Sequence, residues 1–126
     1  MSQRIVKVQK LAREVLGETI QKLKDPRIGF VTVTAVRVSA DIRHARVFVS
    51  VLGDEDERAE SMSGLASATP YLRTELGRQM KVRYLPELQF ELDTGPQEAQ
   101  RLESLLKQIH EAEQEEEREK GDDGAQ

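Results

Sequence analysis

The sequence predicts an α+β layer, a three-stranded sheet with helices packed on one face, in the order α-β-β-α-kink-α-β. Three observations carry that prediction. Ile5, Val8, Leu11, Ala12, Val15, Leu16, Ile20 and Leu23 recur at helical spacing. "FVTVTAVRVS" and "ARVFVSVL" are rich in β-branched residues and alternate with a period of two. A second helical rhythm (Ala59, Met62, Leu65, Ala66, then Leu72, Leu76, Met80) separates this pair from a third alternating run, "LQFEL".

Taken in order, the first helix spans about Arg4 to Leu23, with its apolar stripe inward and Arg4, Lys7, Lys10, Arg13 and Lys22 outward. "DPRIG" ends it, since proline cannot continue a helix. The first strand starts near Phe30. Its apolar parity changes between Val31/Val33 and Val36/Val38, which predicts a bulge near Thr34 or Ala35. "ADIRH" is a turn, so the second strand, with Ala45, Val47, Val49 and Val51 on one face, forms an antiparallel hairpin with the first.

"GDEDERAE" opens the next helix with acids in the first turn, where the helix dipole favours them. Pro70 interrupts its rhythm. Proline is tolerated in a first helical turn and biases Thr69 toward extended geometry. "SATP" therefore reads as a joint, one helix ending and another starting, with Ser67 or Thr69 as the cap. The third strand follows, with Leu88, Phe90 and Leu92 on one face. Pro86 belongs where no partner needs its N–H. "DTGPQ" marks a boundary, giving a domain over residues 1–95. Residues 96–126 read as a short helix (Leu102, Leu105, Leu106, Ile109) and an acidic, disordered tail.

Composition removes several function classes. With no cysteine and two histidines in unlike settings, neither a disulfide nor a metal site is expected, and no cofactor is implied. "MSQRIVKVQK" lacks a signal peptide's apolar core, and no run reaches the roughly 18 apolar residues of a membrane span. The expectation is a cytoplasmic monomer with no membrane partner and no small-molecule substrate. Ser39, Asp41 and His44 lie close together, but in a turn with no carboxylate to orient the imidazole, so an enzyme is not expected.

The net charge of −4 conceals a gradient. Residues 1–50 hold ten Lys/Arg against four Asp/Glu, residues 51–96 five against nine, and residues 97–126 four against ten. A basic half and an acidic tail point toward nucleic acid. Four same-sign residues on about three turns of the first helix make it one side of a phosphate-binding face. A fresh helix N-terminus at the joint, followed by Arg73, Arg78, Lys81 and Arg83, would be another.

"KDPRIGFVTVTAVRVSADIRHARVFVSVLG" and "YLRTELGRQMKVRYLPELQFELD", in this order and spacing, resemble the ribosome-binding factor A family, over about Arg4 to Asp93. The resemblance implies a KH-like fold of the second topological type without a Gly-x-x-Gly loop; the one such match, "GDDG", lies in the tail. It implies a noncatalytic assembly factor that binds the free small (30S) ribosomal subunit and its rRNA. Late 16S rRNA maturation, including the 5′-terminal helix region, and importance in the cold are implied with it. The family's Ala-x-Gly kink falls here on Ala68, Thr69 and Pro70, with proline in place of glycine. The expected RNA-binding face comprises Arg4, Lys7, Lys10, Arg13, Arg27, Arg43, Arg46, Arg73, Arg78, Lys81 and Arg83. A general single-stranded-RNA chaperone and a protein-binding module acting through a strand edge are the alternatives.

Overall fold

The N-terminal apolar stripe forms helix α1, Gln3–Gln21. Ser2 caps it, its hydroxyl accepting the Ile5 N–H at 3.2 Å. Ala12, Val15, Leu16 and Ile20 are buried along one side. Leu11, counted in the stripe by spacing, stands on its flank and is exposed. The computed structural model describes residues 2–81 and 84–124.

Strand β1, Val31–Val38, pairs antiparallel with β2, His44–Val51. The register slips between Val33 and Ala35, so Thr34 is the extra residue of the expected bulge. The bulge reconciles the two parities, placing Val31, Val33 and Val36 all in the core. The Thr34 hydroxyl is tied down at 3.2 Å from the Phe48 carbonyl and 2.7 Å from Asp93 Oδ2. On β2, Ala45, Val47, Val49 and Val51 are buried, as the alternation requires.

Helix α2, Glu55–Gln79, begins in a capping box in which Asp54 and Glu57 each accept the other's backbone N–H. It then returns the chain to strand β3, Glu87–Leu92, which pairs parallel with β2. A parallel pair needs a crossover of this kind, and α2 supplies it. The sheet order is β1-β2-β3. Helix α1 packs over β1, α2 over β2 and β3, and the helices pack against each other. The α+β class and element order are those expected.

The joint at Pro70 differs from expectation. Helix α2 is continuous through it, with the proline inside. Neither Ser67 nor Thr69 is an N-cap; the Thr69 hydroxyl donates back to the Leu65 carbonyl at 3.0 Å. The reason lies in packing. Ser61, Leu65, Leu72 and Leu76 are buried and Ala68 half-buried, a row that keeps its phase across the proline. Burying three leucines contributes about 1.5–3 kcal/mol each, against ~3 kcal/mol for a mid-helix proline. Ala66 and Pro70 both face solvent, so water can satisfy the carbonyl that loses its donor.

By contact the chain divides into two units, Met1–Asp93 and Thr94–Gln126. The second is helix α3, Gly95–Gly124. Pro96 lies in its first turn, where a missing N–H has no partner to lose. Sequence periodicity marks only Leu102 to Ile109 as helical; the helix also carries the acidic stretch beyond them.

Candidate nucleic-acid interface

Two side-chain bonds orient α1 along the sheet. Gln9 Oε1 accepts the Val38 N–H at 3.0 Å, and Gln21 Nε2 donates to the Val31 carbonyl at 3.0 Å. The N-terminal half of α1 thus lies beside the end of β1 and the turn to β2. Arg4, Lys7, Lys10 and Arg13 are exposed there, and none forms an ion pair among the described residues. Lys10 and Arg13 border a groove of about 260 Å³ between α1 and the bulged edge strand, lined also by Val6, Gln9 and residues 34–37. Arg37, from the strand, completes this cationic groove. Composition alone missed it, because an arginine within an alternating strand reads as an outward-facing solubilising residue.

The turn between β1 and β2 is tightly held. Asp41 Oδ1 accepts from the Ser39 hydroxyl at 2.6 Å and from the Arg43 N–H at 3.1 Å, and these bonds hold its carboxyl below the usual carboxylate value. Ile42 has φ of 59°, a left-handed conformation that costs a β-branched residue strain. The imidazole of His44 faces Glu87, Nδ1 to Oε2 being 3.7 Å, so Ser39, Asp41 and His44 shape a turn rather than a triad.

Arg46 lies directly opposite Arg37 across the sheet, a like-charge pair that is ordinarily unfavourable. Glu91 on β3 offsets it with an ion pair to Arg46 at 2.6 Å, and the Arg46 guanidinium also sits 5.1 Å from the Phe48 ring centroid. Arg43 projects from the turn over the Tyr84 ring at 5.3 Å. The C-terminal half of α2 returns to this same end. There Arg73 donates to the Pro86 carbonyl at 3.0 Å and the Leu85 carbonyl at 3.2 Å. Arg78 pairs with Glu75 at 3.0 Å, and Lys81 is exposed. Arg83 lies outside the described residues.

Arg27 is not gathered with the others. It binds Asp25 through Nε at 3.1 Å and Nη2 at 2.8 Å, and its carbonyl accepts from Ser61. That places it at the opposite end of the sheet, with exposed Phe30 and Leu52 and the acidic first turn of α2. The residues expected to form the kink sit mid-helix: Ala68 and Thr69 half-buried, Pro70 exposed. Among the described residues no His, Cys, Asp or Glu cluster could hold a metal ion, and no helix is long and apolar enough to cross a membrane.

The family model described as Ribosome-binding factor A matches residues 4–106. The chain belongs to the ribosome-binding factor A family. A family member from Halothermothrix orenii is 49% identical over 111 residues, 88% of this chain and 90% of that one. Another from Brevibacillus brevis is 46% identical over 107 residues, 84% and 88% of the two chains. Among solved structures, ribosome-binding factor A from Thermus thermophilus superposes with a TM-score of 0.64 at 32% identity, over 70% of this chain and 94% of that one. A homology model of the Thermus thermophilus factor, fitted into a cryo-electron microscopy map of a 30S complex, superposes with a TM-score of 0.58 at 33% identity. That match covers 68% of this chain and 90% of the other.

Proposed function

We propose that the protein is a noncatalytic assembly factor that binds the free small (30S) ribosomal subunit, holding its rRNA against the basic end of the sheet. The observation that carries this reading is the concentration there of exposed cations that form no ion pair among the described residues: Arg4, Lys7, Lys10 and Arg13 from α1, Arg37 and Arg43 from the hairpin, Lys81 after α2. Cations spread over several elements but turned to one end suit a folded polyanion, whose phosphates they position without reading sequence. Arg46, Arg73 and Arg78, each engaged by a protein partner, shape that end more than they supply free charge.

In this reading the bound factor acts as a cytoplasmic monomer, promotes late 16S rRNA maturation in the 5′-terminal helix region, and matters most in the cold, when misfolded RNA resolves slowly. Gradient sedimentation tests it. The protein should co-migrate with free small subunits and not with assembled ribosomes. A Lys10→Glu/Arg13→Glu variant should leave that fraction, while cells lacking the protein should accumulate 16S precursors, most at low temperature. Equal binding to any single-stranded RNA, with no enrichment on small subunits, would instead favour a general RNA chaperone.

A further inference from the structure

A second recess lies at the basic end, apart from the α1 groove. It measures about 300 Å³, the lower end of ligand-sized clefts, and is lined by Arg43, His44, Arg73, Tyr84, Leu85 and Glu87. Its wall is unusually well fixed for a connecting segment. Arg73 clamps two successive carbonyls, those of Leu85 and Pro86. The Leu85 side chain occupies the space that a Cβ on Gly77 would need, and Pro86 is buried. Tyr84 stands on this wall with 53% of its surface exposed and the Arg43 guanidinium 5.3 Å from its ring centroid. A core tyrosine would not be so exposed, and a solvated one would not need so braced a platform.

We propose that this recess takes one unpaired base of single-stranded RNA, stacked on the face of the Tyr84 ring opposite the Arg43 guanidinium. The proposal rests on the reading that the basic end meets RNA. A planar base gains from an aromatic face, in a manner tolerant of sequence. Glu87 argues for a base over a bare anion: its carboxylate repels free phosphate but accepts from base N–H and amino groups. His44 Nδ1 lies 3.7 Å from that carboxylate, at the same rim. Arg73 is a positioning residue here, acting through the backbone that carries Tyr84.

The chain has no tryptophan and only two tyrosines, so Tyr71→Phe leaves Tyr84 as the sole tyrosine fluorophore. Titrating that variant with a short mixed-sequence oligoribonucleotide should give saturable quenching of tyrosine emission, whereas inorganic phosphate should give none. Measured independently by anisotropy of the end-labelled oligonucleotide, Tyr84→Ala should weaken affinity roughly tenfold. Tyr84→Phe, which keeps the ring, should bind as wild type; melting curves of both variants check folding. Oligonucleotide bound by anisotropy without quenching, or equal affinity in Tyr84→Ala, overturns the subsite and leaves the assembly-factor reading standing. No oligonucleotide binding at all also overturns it. Loss of small-subunit co-sedimentation by the wild-type protein is the separate failure of the underlying reading.

Discussion

Asp25 and Asp41 show how single bonds set the local properties of the two loops flanking β1. The Arg27 side chain, and then its backbone N–H, hold the Asp25 carboxyl below its ordinary value; the Ser39 hydroxyl and the Arg43 N–H do the same for Asp41. A depressed carboxyl stabilises the fold above its unfolded pKa and loses that contribution as pH falls through the folded value. The Asp25 and Asp41 bonds should therefore be unaffected from neutrality to about pH 5 and fail only below about pH 4. Following the Arg27 and Arg43 amide resonances through an acid titration should show midpoints below the ordinary aspartate value. Midpoints at the ordinary value would mean that the two bonds do not persist in solution. Gly64 sets a different local limit. A Cβ there would come 2.6 Å from Ile28 Cγ1, on a β-branched side chain with restricted χ1 freedom. Alanine gains about 1 kcal/mol of helix propensity over glycine, but overpacking typically costs ~1–3 kcal/mol. Gly64→Ala should lower stability in urea unfolding by about 1 kcal/mol.

Helix α2 is where reading by element and reading by residue part company. Pro70 contributes no packing that alanine would lack, since it faces solvent, while it removes a helical hydrogen bond. Pro70→Ala should therefore stabilise the protein by about 1–3 kcal/mol, a rise of several degrees in Tm. If small-subunit binding is unchanged in that variant, a distortion at Ala68, Thr69 and Pro70 is not needed for function. The misreading of this joint has a local cause. Proline chemistry is legible in sequence, but the phase of Leu65, Ala68, Leu72 and Leu76 outweighs it, and only packing against the sheet shows that all four share one face. The bulge at Thr34 was legible because a parity change in a strand has few other physical explanations. The parallel pairing of β3 follows once α2 is a single crossover. The long α3 was not legible, because an acidic run without apolar residues carries no helical period to read.

Over the whole molecule, sequence shows how many cations there are but not which end of the sheet they reach. The antiparallel hairpin and the α2 crossover bring residues near 10, 37, 43, 73 and 81 to one end, and leave Arg27 and the acids at 54–57 at the other. The gradient seen along the chain thus becomes a polarity in space, and it gives the interface an internal control. If phosphates are met at the basic end, the logarithm of the small-subunit association constant should fall linearly with the logarithm of salt concentration. Each phosphate-contacting cation removed should reduce that slope by roughly 0.7–0.9. Lys7→Gln, Lys10→Gln, Arg13→Gln and Arg37→Gln should each show the reduction, and pairs of them should add when the sites are independent. Arg27→Gln should leave the slope as in wild type, because its guanidinium is held by Asp25 at the far end. Arg46→Gln should fall between, since Glu91 already neutralises much of that charge. Equal slopes for the Arg27 and Lys10 variants would show that net charge, and not the placement given by the fold, governs binding.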